Sequence, residues 1–325
     1  MFQRSMLCVK IFSCLTLVLG FATSAPAYEV DEVTDGGTIT GKIVLKGNVP
    51  PPRAFPIVNY PFGDFCRRIS DGTGRVLLKE FIVNQSGGLA DAVVFVQNVK
   101  KGKPFKYTKN EFITTSCMFH PYDVPESELF EARSEGVIHI HPLVIVMRNY
   151  QDVSVRNLDP IVHNGQVYQP EKGNIVLNFP IPPSSQKNGG VLQVEKGRKI
   201  VQLICGMHEY MQSWGWIVDN PYYAKTRRDG GFTIENLPPG TYKVVAWHPH
   251  LTPVEKEITV TAKGISSLDF EFNGDDVVRP LYESQAQFRL GTGYHNPYYK
   301  PENVVGCEGP YCVHDEHTHM DAHPE

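Results

Sequence analysis

Cys205, Gly206, Met207, His208, Glu209, Tyr210 and Met211 follow one another without a break. A thiolate, an imidazole and a thioether this close together on one loop can converge on a single ion, and that donor mixture suits copper better than zinc or a hard cation. A second imidazole must come from elsewhere, and the run from Arg156 to Asn164 offers His163. Taken singly, each of these residues is ordinary, since buried cysteines and hydrogen-bonded histidines are common. The chemistry lies in their combination.

Such donors need a rigid frame. Ile200 to Cys205 is short, apolar and β-branched, and another strand signal begins near Trp214 and runs to Val218. The loop between them is therefore held by strands. Further short runs at Leu143–Met147, Val153–Arg156, Asn174–Phe179 and Val191–Val194 are separated by turn residues. Regular short strands without a sustained helical period predict an all-β protein built from sandwiches or barrels. Closer to the N-terminus, Thr38 to Leu45 alternates polar and apolar residues, as a half-buried strand does, and Leu89 to Val96 is a second strand signal. Asp229-Gly230 and Pro238-Pro239-Gly240 punctuate a later pair of alternating runs. That pattern predicts a hairpin meander.

The stretch 112–219 resembles a cupredoxin, the family of plastocyanin and pseudoazurin. There an Asn-x-Asp-x-x-x-His-Asn segment leads to the first histidine, and a late loop supplies Cys, His and often Met. The matching residues here are Asn157, Asp159, His163 and Asn164, then Cys205 and His208. The resemblance implies a Greek-key sandwich holding one copper ion through His163, Cys205 and His208, with Met211 as the axial ligand. The spacing departs from the family, because only Glu209 and Tyr210 separate His208 from Met211, where plastocyanin-type loops have four residues. Met207, Glu209 and an open water position therefore compete for the axial place.

The segment 226–244 resembles the second half of carboxypeptidase regulatory-like domains, which are transthyretin-like sandwiches. Gly37-Thr38-Ile39-Thr40-Gly41 and Leu89-Ala90-Asp91-Ala92-Val93 look like the first half. The expected organisation is two β-sandwiches, the regulatory-like one split over 36–105 and 220–275 around a cupredoxin-like domain at 112–219. Two unrelated β modules in series are the alternative. Residues 276–325 have no hydrophobic face and are expected to form an irregular tail.

Arg4 and Lys10 precede an apolar run from Ile11 to Ala22, followed by Ala25-Pro26-Ala27. This has the form of a secretory signal peptide over 1–27, which predicts export to the periplasm and no transmembrane segment in the mature chain. The formal net charge is −4 and becomes more negative without Arg4 and Lys10. A mildly acidic chain is a poor partner for nucleic acid.

Beyond the leader, which carries Cys8 and Cys14, the cysteines are Cys66, Cys117, Cys205, Cys307 and Cys312. In an oxidising compartment an odd number leaves one unpaired. Cys307 with Cys312 and Cys66 with Cys117 are the pairing adopted, leaving Cys205 free, although four cysteines allow three connectivities. A Cys66–Cys117 link closes a loop of roughly 50 residues, with an entropic effect of about 4 kcal/mol.

Of the other histidines, His139 and His141 alternate on one strand and read as a sheet-surface pair. His248 and His250 read as packing plus a turn. His314, His317, His319 and His323 form an acidic, His-rich tail that is a possible secondary metal site. No phosphate loop, nucleophile elbow, framed carboxylate pair or haem-attachment motif is found, so no enzyme activity is expected. One-electron transfer to a redox partner, such as a cytochrome or an oxidoreductase, is the leading expectation. A copper chaperone or store is the next, and a structural or carbohydrate-binding double sandwich the third.

Overall fold

Strand Gly37–Lys46 buries Gly37, Ile39, Ile43 and Leu45 and turns the residues between them outward, a period of two. In the computed structural model, which describes residues 28–107, 109–132, 138–170 and 172–278, this strand is the middle of its sheet. Gly231–Leu237 pairs with it antiparallel, while Ile265–Ser267 and Phe270–Asn273 pair with it in parallel. Gly41 faces the break between the last two, where a Cβ would stand 1.9 Å from the Leu268 carbonyl oxygen. Only glycine allows so close a backbone approach.

A second sheet, ordered Tyr223–Lys225, Val93–Val96, Gly240–Trp247 and Val254–Val260, packs on the first. Ile39, Ile43, Val94, Phe232, Val244 and Phe270 belong to the shared core. The protein is thus all-β, and this outer sandwich is discontinuous in the chain. The chain leaves it after Val93–Val96 and returns at Tyr223–Lys225, and these two strands are antiparallel neighbours.

The inner sandwich also has two sheets. One is ordered Ile145–Met147, His208–Ile217, Ile200–Cys205, His163–Gln169 and Asn174–Ile181. The other is ordered Gln186–Val191, Asp152–Asn157, Asn110–Thr115 and Met118–Pro121. Phe112, Phe119, Val153, Val155, Val167 and Leu203 are buried in this sandwich's core. Between the sandwiches, Trp216 packs on Trp247 and on Phe95, each at 4.7 Å between ring centroids. Large aromatic faces of this kind supply much of the apolar burial at a contact.

A third, small sheet crosses from one part of the chain to the other. Arg53–Pro56 and Arg75–Leu78 are antiparallel, and Arg75–Leu78 pairs in parallel with Ile138–Ile140, which in turn pairs with Phe130–Ala132. Residues 53–78, expected from the sequence to lie in the outer sandwich, are therefore tied by main-chain bonds to the inserted part. The link from Pro56 to Arg75 passes through the turn Ile57–Asn59, the helix Gly63–Cys66 and the turn Arg67–Ile69. This excursion lies against the end of the inner sandwich where His208 sits. Among the described residues no helix is long and apolar enough to cross a membrane.

Candidate metal centre

Cys205 ends one central strand, His208 begins the next, and only Gly206 and Met207 turn the chain between them. The second strand starts well before Trp214, the residue at which the apolar pattern resumes. Register explains the difference: Ile204 opposes Gln212 while Cys205 opposes His208, so Glu209, Tyr210 and Met211 form a bulge. A bulge breaks the alternation that marks a strand in sequence. His163 begins the adjacent strand, in which Gly165 opposes Cys205. The Gly206 amide donates to the Asn164 carbonyl at 3.0 Å and closes the turn against that strand.

These three strand ends place His163, Cys205 and His208 together, with one potential ligand atom from each lying within 4.8 Å of the others. Cys205 Sγ is 3.5 Å from His208 Nδ1 and 4.0 Å from His163 Nδ1. An ion about 2.0–2.3 Å from each of three trigonal ligand atoms needs them roughly 3.5–4 Å apart. The donor set, two imidazoles and a thiolate, is that of a trigonal copper site. All three residues are buried, with both histidines fully so.

Each imidazole is held by its far nitrogen. His208 Nε2 donates to the Pro61 carbonyl at 2.9 Å, and His163 Nε2 meets Asp159 Oδ2 at 2.9 Å. Both rings therefore turn Nδ1 toward the sulfur, and such outer partners fix ring orientation and raise ligand basicity. Asp159 is itself anchored. Its carboxylate accepts from the Ser116 and Cys117 amides at 2.7 and 2.8 Å and pairs with Arg68 at 3.0 Å. Ser116 and Cys117 both have positive φ, in the two-residue turn between Asn110–Thr115 and Met118–Pro121. That turn aims successive N–H groups at the carboxylate. Asn157 shapes the approach to His163, accepting from the Thr114 hydroxyl and the Asp159 amide and donating to the Ile161 and Pro182 carbonyls. The Asn164 amide points at Cys205 Sγ, 3.5 Å away.

Charge follows from this geometry. Burial works to raise the Cys205 thiol, but the fields and hydrogen bonds of His208 and His163 prevail and hold it well below its ordinary value. Burial likewise disfavours a charged His163, yet the Asp159 hydrogen bond and the Cys205 sulfur outweigh it and lift the imidazole to about 9. Against burial, the bonds from His163 and the Cys117 amide keep Asp159 below the usual carboxylate value. The lowering favours the thiolate, the form that ligates metals.

Met211 is fully buried in the same core as Cys205, and Met207 is half-buried against it. Glu209 is buried, and its carbonyl accepts from Gln212 Nε2 at 3.0 Å. Cys66 and Cys117 are disulfide-bonded, and Cys205 is a free, buried cysteine. Residues 1–27, Cys307, Cys312, His314, His317, His319 and His323 lie outside the described residues.

His139 and His141 are not on the surface as their alternation suggested. Both are buried, His139 within Ile138–Ile140 and His141 just past its end, because that face of the small sheet is covered and not open to solvent. His141 Nδ1 meets the Lys79 carbonyl at 3.2 Å. His248 stacks on Phe81 at 4.7 Å, while His250 sits edge-on to Trp214 and 3.3 Å from the Glu80 carboxylate. Arg53 bonds that same carboxylate and reaches Gln212 Oε1 at 3.1 Å, extending the polar contacts into the inner sandwich. Burial, then the neighbouring His250, pushes His248 down to about 3. Pro61 and Arg68 carry no ligand-like signal in the sequence, and a backbone carbonyl leaves none.

The carboxypeptidase regulatory-like domain model matches residues 218–273. No curated protein is matched by sequence. Among solved structures, a purple cupredoxin from Nitrosopumilus maritimus aligns with 34% of this chain and 100% of its own, at 16% identity and a TM-score of 0.22. The minor pilin GBS52 of Streptococcus agalactiae covers 73% of this chain and 95% of its own, at 11% identity and a TM-score of 0.15. Residues 218–273 are thus a carboxypeptidase regulatory-like segment, whose strands complete a sandwich begun at Gly37 around a second sandwich that carries His163, Cys205 and His208.

Proposed function

We propose that the protein is an exported, periplasmic copper protein that passes single electrons to and from a redox partner such as a cytochrome or an oxidoreductase. The observation that carries this reading is the buried trio of His163 Nδ1, Cys205 Sγ and His208 Nδ1, with both far nitrogens already bonded. Copper bound there supplies a one-electron couple. The chain's contribution is to hold its ligands still: the imidazoles are fixed from behind and the thiolate is set at the end of a central strand. Ligands that do not rearrange between oxidation states keep the cost of electron exchange low. The buried setting keeps water from the three donor atoms, so a bound ion would be held by them and not by solvent. Met211, buried in the same core as Cys205, would be the further ligand, since a weak thioether bond tolerates imperfect placement. The outer sandwich serves as a platform that positions the site.

Copper storage or delivery is the second reading, favoured by His314, His317, His319 and His323 in the tail. Titration of the full-length protein with Cu(II), followed by visible absorption and electrochemistry, separates the two. One equivalent producing an intense band toward the red end, with a reversible one-electron wave, supports electron transfer. Tight colourless Cu(I) binding without a reversible wave supports storage. Absence of stoichiometric copper uptake overturns both.

A further inference from the structure

The excursion between Arg53–Pro56 and Arg75–Leu78 reaches the outer side of both ligand imidazoles, that of His208 directly and that of His163 through Asp159. Pro61 supplies the carbonyl to His208 Nε2 at 2.9 Å, and Cys66 Sγ lies 4.0 Å from the same nitrogen. The two are mechanically joined, because the Phe65 and Cys66 amides both donate to the Phe62 carbonyl at 3.0 Å. Phe62 itself has φ of 56°, a left-handed conformation unfavourable for a bulky side chain. Strain of this kind persists only where the surroundings over-determine it.

On the other side of the site, the Cys117 amide donates to Asp159 Oδ2, the oxygen that holds His163 Nε2. Arg68, two residues past Cys66, pairs with the other oxygen of the same carboxylate at 3.0 Å and lies over the Phe65 ring. The disulfide therefore joins the residue beside the His208 clamp to the residue that forms the His163 clamp. Both of its cysteines are fully buried. A purely entropic staple needs neither that depth nor that proximity to a ligand ring.

We propose that the segment Pro61–Arg68, stapled by Cys66–Cys117, is a positioning part of the metal centre that holds the far nitrogen of His208 through the Pro61 carbonyl and braces Asp159 behind His163 through Arg68, so that copper affinity and colour depend on a disulfide outside the ligand set. The inference rests on the copper reading above. Its consequence is that the inner sandwich alone does not carry a complete site, since half of the outer shell comes from residues 61–68.

The test compares full-length wild type with Cys66→Ala/Cys117→Ala and with Arg68→Gln. Each is measured by Cu(II) competition against a chelator, by the visible band of the thiolate and by near-ultraviolet circular dichroism. A folded double variant is expected to lose about ten- to a hundredfold in copper affinity, the range found when outer partners of metal ligands are removed, with its band shifted. Arg68→Gln, on a side chain 46% exposed, is expected to fold normally, shift the band in the same sense and lower the copper potential through loss of a nearby positive charge. A folded double variant with wild-type affinity and spectrum overturns the proposal. If the double variant does not fold, Arg68→Gln decides: a shifted band and potential support the proposal, and unchanged values overturn it. Wild type that takes up no coloured copper overturns the copper reading itself, before any variant is compared.

Discussion

Asp159 Oδ2 and His163 Nε2 lie 2.9 Å apart in an interior where both side chains are almost completely closed to solvent. Removing one member of a buried pair leaves the other uncompensated and costs about 3 kcal/mol or more. Asp159→Asn is therefore expected to lower the unfolding midpoint of the metal-free protein. It should also weaken copper binding by about ten- to a hundredfold. Denaturant unfolding and chelator competition on the same preparation check both. Wild-type values in both would show that the carboxylate neither stabilises the interior nor orients the ring.

Cys205→Ser is expected to abolish the intense visible band while leaving the far-ultraviolet circular dichroism unchanged. The change is nearly isosteric at a residue 2% exposed, and no other cysteine sulfur among the described residues is free. A variant that keeps the band would place the coloured ligand elsewhere.

Met211→Leu separates packing from ligation. Met211 is fully buried, and a volume-conserving exchange of this kind costs under about 1.5 kcal/mol. Copper should remain bound and its reduction potential should rise, because a lost thioether favours the reduced ion. Direct electrochemistry reads the shift. An unchanged potential with an unchanged spectrum would remove Met211 from the axial position.

His248 makes stability depend on pH. The unfolded side chain takes up a proton near 6.5, whereas the folded one, buried beside His250, does so only near 3. Between these values the unfolded state binds more protons, so this contribution is fully present above about pH 6.5 and is lost as pH falls toward 3. The slope is ~1.4 kcal/mol per pH unit. Urea unfolding of the metal-free protein and of His248→Phe across this range should give curves that converge or cross as pH falls. Parallel curves would mean that His248 is not held neutral.

The all-β architecture was legible because alternating runs such as Thr38 to Leu45 report a sheet with one wet face, and that signal is local. The clustering of His163, Cys205 and His208 was legible for a different reason, since two motifs in order carried the family resemblance. The excursion over 57–69 was not legible. It has no period, begins after Pro50-Pro51-Pro52 and works through a main-chain carbonyl at Pro61, which no side-chain pattern marks. The early start of the second central strand was hidden by the bulge at Glu209, Tyr210 and Met211. The burial of His139 and His141 was hidden because alternation says which residues share a face, not whether another layer covers it.

The split outer sandwich also imposes an order of assembly. Strand Gly37–Lys46 leaves the ribosome early and meets only a short partner before the insertion, where Ile43 and Leu45 bond Leu89 and Gly87, while its longer neighbours come from the far side, as when the Lys42 amide meets Asp269, 227 positions away. Contacts so distant in sequence form slowly, and until they do most of this strand's two edges stays unpaired. The inner sandwich, by contrast, has all its strands within one continuous stretch and can close early. During synthesis the chain therefore consists of a nearly finished centre carrying a largely open, adhesive strand ahead of it.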